Sequence, residues 1–166
     1  MADAPPRRAL VLTISDGVAA GTRQDESGVA LAARLEALHF EVERATVPDE
    51  MDVIAAAISS ATGHCQLVIS TGGTGLGPRD VTPQTMHGLL DYEIPGFGEQ
   101  MRAYGRARTP LADLSRSLAG VLGTTLVICV PGSKGGALDS LSALEPLLDH
   151  ALETIGGHTQ HTEKRA

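Results

Sequence analysis

Directly after the apolar triplet Leu67-Val68-Ile69 comes the run Ser70-Thr71-Gly72-Gly73-Thr74-Gly75-Leu76-Gly77-Pro78-Arg79-Asp80-Val81-Thr82-Pro83. The triplet reads as the body of a buried strand, Gln66 to Thr71. Thr82-Pro83 starts a short helix that ends near Leu90. Between them, four of the six residues from 72 to 77 are glycine. Glycine costs backbone entropy, so it belongs where φ is positive or where another group comes close to the main chain. A strand that runs through such a loop into a helix commits the chain to an α/β architecture. With its hydroxyls, one Arg and one Asp, the loop reads as a cradle for a phosphate. Read without a ligand, it is a tight strand-to-helix turn.

The rest of the chain repeats the alternation. Ala9 to Ser15 is a strand apolar enough to be buried on both faces, and Asp16 to Asp25 is a loop. Glu26 to Leu38 carries Val29, Leu31, Leu35 and Leu38 near a 3.6-residue period. Phe40 to Val47 alternates as a second strand. Met51 to Thr62 forms a helix with Val53, Ile54, Ala57 and Ile58 inward and Asp49 placed as its N-cap. Pro95-Gly96-Phe97-Gly98-Glu99 turns into a helix toward Arg108. Ser115 to Gly120 and Thr124 to Val130 are two strands around Leu122-Gly123. The second ends at the loop Pro131-Gly132-Ser133-Lys134-Gly135-Gly136, and Leu138 to Ile155 is a long amphipathic helix. The expected fold is a three-layer α/β sandwich around a mostly parallel sheet. It comprises one domain over residues 9–157, a disordered leader over 1–8 and a loose tail over 158–166.

Composition narrows the function. Aromatics are only 2% of the 166 residues, with no Trp, so Leu, Val, Ile and Ala must build the core. The formal charge is −7, which argues against a nucleic-acid partner, because such proteins show a basic face. The segment Arg102 to Arg108 is the one basic cluster and reads as a solvated helix face. Cys65 and Cys129 make neither a disulfide framework nor a CxxC pair. No apolar run reaches the ~20 residues of a membrane helix and none resembles a secretion signal, which makes the cytoplasm the expected location and a membrane an unexpected partner.

Several motifs fail. No Lys follows the glycine loop as a Walker A loop requires, and its glycine spacing breaks the dinucleotide fingerprint at Pro78 or Asp80. There is no Gly-x-Ser-x-Gly elbow. His158 and His161, spaced like a metal pair, read as solvated tail residues. What remains is convergence. Ligands of such sheets sit beyond the carboxyl ends of the strands. Here those ends carry Ser15-Asp16, Pro48-Asp49, Thr71 to Gly75 and Pro131-Gly132-Ser133.

With these residues in view, the chain resembles the molybdopterin adenylyltransferases, the family of Mog-type and MoaB-type proteins and of the gephyrin G domain. The resemblance runs from Leu10 to Gly156. Its most specific piece is Thr71-Gly72-Gly73-Thr74-Gly75 followed by Pro78-Arg79-Asp80-Val81-Thr82-Pro83. Supporting pieces are Ile14-Ser15-Asp16, Asp25-Glu26-Ser27-Gly28, Val47-Pro48-Asp49-Glu50, Ile94 to Glu99, Leu114-Ser115-Arg116 and Pro131-Gly132-Ser133.

The resemblance implies that molybdopterin, a pterin dithiolene ending in a phosphate, is adenylylated by ATP with Mg²⁺, releasing pyrophosphate. It further implies homotrimers or larger rings, and a molybdenum-insertion enzyme as a partner. Asp49 and Asp80 match the family's functional aspartates and would hold Mg²⁺; taken alone, Asp49 is equally a helix cap and Asp80 part of an Arg79-supported turn. Amides of Gly72, Gly73, Thr74 and Gly75 would hold a phosphate. Ser15, Asp16, Ser115 and Arg116 match the molybdopterin pocket, where Arg116 would grip a phosphate through two donors or else form a surface ion pair. By the same resemblance Phe97 and Glu99 line the pocket, although Phe97 is also a core residue by type. Pro131, Gly132 and Ser133 complete the binding set. A departure is Lys134, which stands where family members often carry a second proline and makes that loop looser and more cationic.

Overall fold

The computed structural model describes residues 6–157. Six strands form one sheet in the order β2-β1-β3-β6-β5-β4. β1 (Arg8–Ile14) pairs in parallel with β2 (Glu41–Val47) and β3 (Leu67–Thr71), and β3 pairs in parallel with β6 (Thr125–Val130). β5 (Leu118–Leu122) runs antiparallel to β6, and the two-residue β4 (Tyr92–Glu93) antiparallel to β5. Val11, Leu12, Leu67, Val68 and Ile69 are all 0% exposed, as central strands covered on both faces require. The edge strand β2 is buried only at Val47.

Helices cover both faces, so the three-layer expectation is met. On one face α2 (Glu26–Ala37), α5 (Pro95–Arg106) and α6 (Lys134–Ile155) bring Leu31, Leu35, Met101, Leu141 and Leu144 onto Val11, Ile69 and Ile128. On the other, α3 (Met51–Ala61) and α4 (Thr82–Leu89) bring Ile54, Ile58 and Met86 onto Leu12, Val68 and Val127.

Some local expectations are corrected. Asp16–Ala19 is not loop but a single helical turn, α1, capped by the Ser15 side chain, which accepts from Val18 N–H. Val53 is 37% exposed rather than inward. Lys134-Gly135-Gly136 is no loose loop. It is the first turn of α6, held by Ser133 Oγ accepting from Gly136 N–H at 3.2 Å, and α6 continues through Pro146. β5 begins at Leu118, not Ser115, and Arg116 ahead of it turns its N–H and side chain to the glycine loop. Of the expected leader, Arg8 opens β1 and Arg7 pairs with Asp149 on α6. Residues 1–5 and the tail, with His158 and His161, lie outside the described residues.

β2 lies to one side of β1 and β3 to the other. The strand order reverses at this point, which opens a crevice beyond the carboxyl ends of β1 and β3.

Candidate functional site

A cleft of about 930 Å³ occupies that crevice, lined by the ends of β1, β3 and β6, the glycine loop and the first turns of α2 and α6. Its floor is the glycine loop, and the loop's wiring explains what the loop can bind. Every carbonyl from Gly72 to Gly75 is occupied. Thr82 Oγ1 donates to Gly72 O at 2.9 Å and Thr82 N–H to Gly73 O at 3.2 Å. Arg116 N–H donates to Thr74 O at 2.9 Å and Arg116 Nε to Gly75 O at 2.8 Å.

In a trans peptide the N–H points opposite to the carbonyl of the same plane. Drawing the carbonyls of residues 72–74 toward Thr82 and Arg116 therefore turns the N–H groups of Gly73, Thr74 and Gly75 the other way. Among the described residues none of these three has a protein acceptor, whereas Gly72 N–H is used by Val130 O. The result is a row of three unspent donors, the arrangement that binds an anion; Gly72, expected among the phosphate-binding amides, is instead structural.

The glycines are required by space as well as by φ. A Cβ on Gly72 (φ 110°) would fall 2.1 Å from Ile14 O, and one on Gly73 (φ 67°) 2.3 Å from Thr82 Oγ1. The same geometry locates the two acids. The Gly73 Cβ position is 3.2 Å from Asp49 Oδ1, and that of Gly75 is 2.8 Å from Asp80 Oδ2. Both carboxylates press on the loop within two residues of each other, and both line the cleft.

Asp49 is not the cap of α3. Glu50 holds that position without a side-chain bond, and the Asp49 carboxylate turns instead toward α1. Asp16 N–H donates to Asp49 Oδ2 at 2.9 Å, and Asp49 N–H returns a bond to Asp16 Oδ1 at 3.0 Å. Arg79 does not support Asp80 either. Its Nε and Nη2 both lie 2.9 Å from the Asp16 carboxylate. This contact holds the Asp16 carboxyl below the usual aspartate range. Burial, with the nearby charges of Asp16 and Asp80, pushes the Asp49 carboxyl above it.

Asp80 Oδ2 accepts from Gly77 N–H at 2.8 Å, so its turn role is real but rests on the loop's own amide. Each acid thus spends Oδ2 on an N–H group, and among the described residues neither Oδ1 accepts a hydrogen bond. Two such carboxylate oxygens in one cleft, on acids that repel each other, suit a hard divalent cation that keeps several waters.

The other expected site residues divide. Ser15, Ser115, Pro131, Gly132 and Ser133 line the cleft with Gly72, Gly73, Thr74 and Gly75. Asp16 stands behind Asp49 and does not line it. Arg116 does not line it either: besides Gly75 O, its Nη2 donates to Asp80 O at 2.8 Å and its Nη1 to Gln84 Oε1 at 3.2 Å. Its guanidinium is neither a surface ion pair nor free for a phosphate. Phe97 is 7% exposed in the core, and Glu99 faces outward. Pro95 starts α5 so that Phe97 and Met101, four apart, share the inner face, which turns Glu99 away.

Sequence reasoning put Thr71 on the rim but missed its role: its Oγ1 lies 2.8 Å from Pro131 O and 3.1 Å from Ser27 Oγ, tying β3, β6 and α2 together. Strand alternation from Ile69 is the signal that places it on the α2 face. It also missed Arg102, which is no solvated face residue: it donates to Ser117 O at 2.8 Å and lines the cleft.

Residues 10–150 match the family described as "Probable molybdopterin binding domain". The molybdenum cofactor biosynthesis bifunctional protein of Chlorobaculum tepidum is 39% identical over 152 residues, covering 90% of this chain and 49% of that protein; the chain spans about half of such bifunctional relatives. The molybdopterin adenylyltransferase of Helicobacter pylori J99 is 34% identical, over 93% of this chain and 91% of its own. The crystal structure of the molybdopterin biosynthesis enzyme MoaB from Thermus thermophilus superposes with a TM-score of 0.83 at 43% identity, covering 91% and 97%. The structure of the molybdopterin biosynthesis Mog protein from Mycobacterium ulcerans superposes with a TM-score of 0.85 at 36% identity, covering 90% and 99%. With sequence and fold in agreement over nine-tenths of its length, the chain belongs to the Mog/MoaB family of molybdenum cofactor biosynthesis proteins.

Proposed function

We propose that this chain is a molybdopterin adenylyltransferase. The terminal phosphate of molybdopterin attacks the α-phosphorus of ATP; a new P–O bond forms, the bond to the β-phosphate breaks, and pyrophosphate leaves with the electron pair. Transfer at phosphorus asks for alignment and charge neutralisation more than for covalent help. The N–H row of Gly73, Thr74 and Gly75 binds one phosphate through fixed donors. Ser15, Ser115 and Ser133 add hydroxyls around it, and Lys134 brings a cationic side chain to the rim.

Asp49 and Asp80 would hold Mg²⁺ through their free oxygens, and the bound ion supplies offsetting charge between two anionic reactants. Asp16 and Arg79 keep Asp49 in place, and Arg116 keeps the loop under Asp80. The observation that carries this reading is the presence of both carboxylates against one row of unspent amides. It extends to a homotrimer or larger ring as the working assembly and to a molybdenum-insertion enzyme as the receiver of the product.

The family description, which names molybdopterin binding and no reaction, favours a second reading, a module that binds molybdopterin without catalysis. Incubation with molybdopterin, ATP and Mg²⁺ separates the two. Adenylylation yields pyrophosphate and adenylyl-molybdopterin in equal amounts; molybdopterin binding with no pyrophosphate supports the module.

A further inference from the structure

At the end of the sheet away from the cleft, β1 opens beside β2, with Arg8 opposite Glu41 and Leu10 opposite Glu43. His64 and Cys65 form the connection from α3 into β3 at that same end. The carboxylate of Glu43, an imidazole nitrogen of His64 and the Cys65 sulfur all lie within 4.8 Å of one another. We propose that Glu43, His64 and Cys65 form a binding site for a borderline divalent cation of the Zn²⁺ class, separate from the cleft and independent of the adenylyltransferase reading.

The donor set carries the chemistry. One thiolate, one imidazole and one carboxylate are the ligands Zn²⁺ takes in tetrahedral sites, with water in the fourth position; hard ions such as Mg²⁺ have no use for the sulfur. The carboxylate is prepared for this role. Glu43 Oε1 accepts from Arg8 Nη2, which leaves Oε2 facing His64 Nε2 at 3.4 Å, too long for a good hydrogen bond. An outer partner that fixes a ligand's free atom is typical of built metal sites.

The backbone is fixed as well. Both His64 N–H and Cys65 N–H donate to Ala61 O, at 3.1 and 2.8 Å, and Cys65 O accepts from Thr125 Oγ1 at 2.7 Å. Local charge closes on the same answer. Arg8 offsets only one of Glu41 and Glu43, so a deprotonated Cys65 leaves two negative charges for a divalent ion. The thiol proton goes to solvent on binding. The bound ion would clamp the edge strand β2 to the α3–β3 connection.

Co²⁺ is the probe, because a Co²⁺–thiolate bond absorbs by charge transfer and a tetrahedral site intensifies the visible bands. Added to the full chain under a phosphine reductant, one equivalent of Co²⁺ gives both signals, and Zn²⁺ removes them by displacement. Cys65→Ser abolishes the charge-transfer band. His64→Ala, a change at an exposed side chain, weakens Co²⁺ binding by at least about tenfold, on the scale set by losing support at metal sites; unchanged far-UV circular dichroism verifies that this variant is folded. Zn²⁺ raises the unfolding temperature of the parent by more than that of His64→Ala at the same concentration.

Ion bound in the cleft by Asp49 and Asp80, or by the tail histidines, gives no thiolate band. Cys129 is fully buried. Absence of the charge-transfer band with Co²⁺ in excess, its persistence in Cys65→Ser, or unchanged affinity in His64→Ala each overturns the proposal.

Discussion

Replacing Arg116 by Met separates two roles that the same residue type can fill. Its side chain donates to Gly75 O and Asp80 O, both at 2.8 Å, and more weakly to Gln84. A hydrogen bond from a charged donor is worth about 1.5–3 kcal/mol when deleted from a protein. Arg116 is half-buried, so water reaches the vacated carbonyls and the lower end applies to each of the two main bonds. The expected loss is about 3 kcal/mol, or roughly 6–12 °C in unfolding temperature for a domain of this size. Arg116→Lys recovers little, since a single ammonium does not reproduce the fork.

With the loop loosened, the Gly73–Gly75 donors lose their alignment, so turnover falls together with phosphate affinity. The assays are urea denaturation and steady-state pyrophosphate release on each variant. If Arg116→Met keeps its full stability and only its phosphate affinity drops, the residue is a direct ligand and the structural reasoning fails.

Three further outcomes are expected. Gly72→Ala forces a Cβ at φ 110° to within 2.1 Å of a main-chain oxygen and should cost more than about 2 kcal/mol in denaturant titrations. Gly135→Ala, where a Cβ meets nothing within 4 Å, serves as the tolerated control. Ser70 is 0% exposed, and its hydroxyl has no partner among the described residues; Ser70→Ala should gain about 1 kcal/mol by removing an unsatisfied group, whereas an equal loss would reveal a hidden acceptor. The third concerns pH. The Asp49 carboxyl is raised by burial first. The folded state therefore holds its proton more tightly than the unfolded chain, and stability present below the unfolded pKa is lost as pH rises through the folded one. Asp49→Asn should gain in denaturation midpoint relative to the parent as pH is raised from about 3 to 7. A difference that does not change with pH would contradict the burial argument.

What the chain's linear order reveals, and where it stops, follows from the range of the forces. Continuous apolar runs such as Leu67-Val68-Ile69 announce central strands, and the 3.6-residue spacing of Leu31 and Leu35 announces a helix, because both signals are local. The one-turn α1 and the two-residue β4 are too short to carry a period. Lys134-Gly135-Gly136 reads as loop by composition, and the Ser133 cap overrules it.

The site was legible as a rim of glycines and acids at strand ends. Its wiring was not, since it joins residues far apart in the chain: Asp49 to Asp16, Arg79 to Asp16 across 63 positions, and Arg116 to Gly75 across 41. Arg116 holds the glycine loop and Asp16 holds Asp49, and residue type alone cannot distinguish such support from contact with a ligand.

The most direct measurement compares Asp80→Asn with the parent in two assays, equilibrium molybdopterin binding and single-turnover formation of adenylyl-molybdopterin. The substitution keeps an acceptor for Gly77 N–H and removes a charge. The account predicts molybdopterin affinity within a few-fold of the parent and a transfer rate reduced by on the order of a hundredfold or more, the scale of losing one preorganised charge-stabilising group. Equal loss in both assays, or none in either, would contradict the assignment of Asp80 and Asp49 to the transfer step.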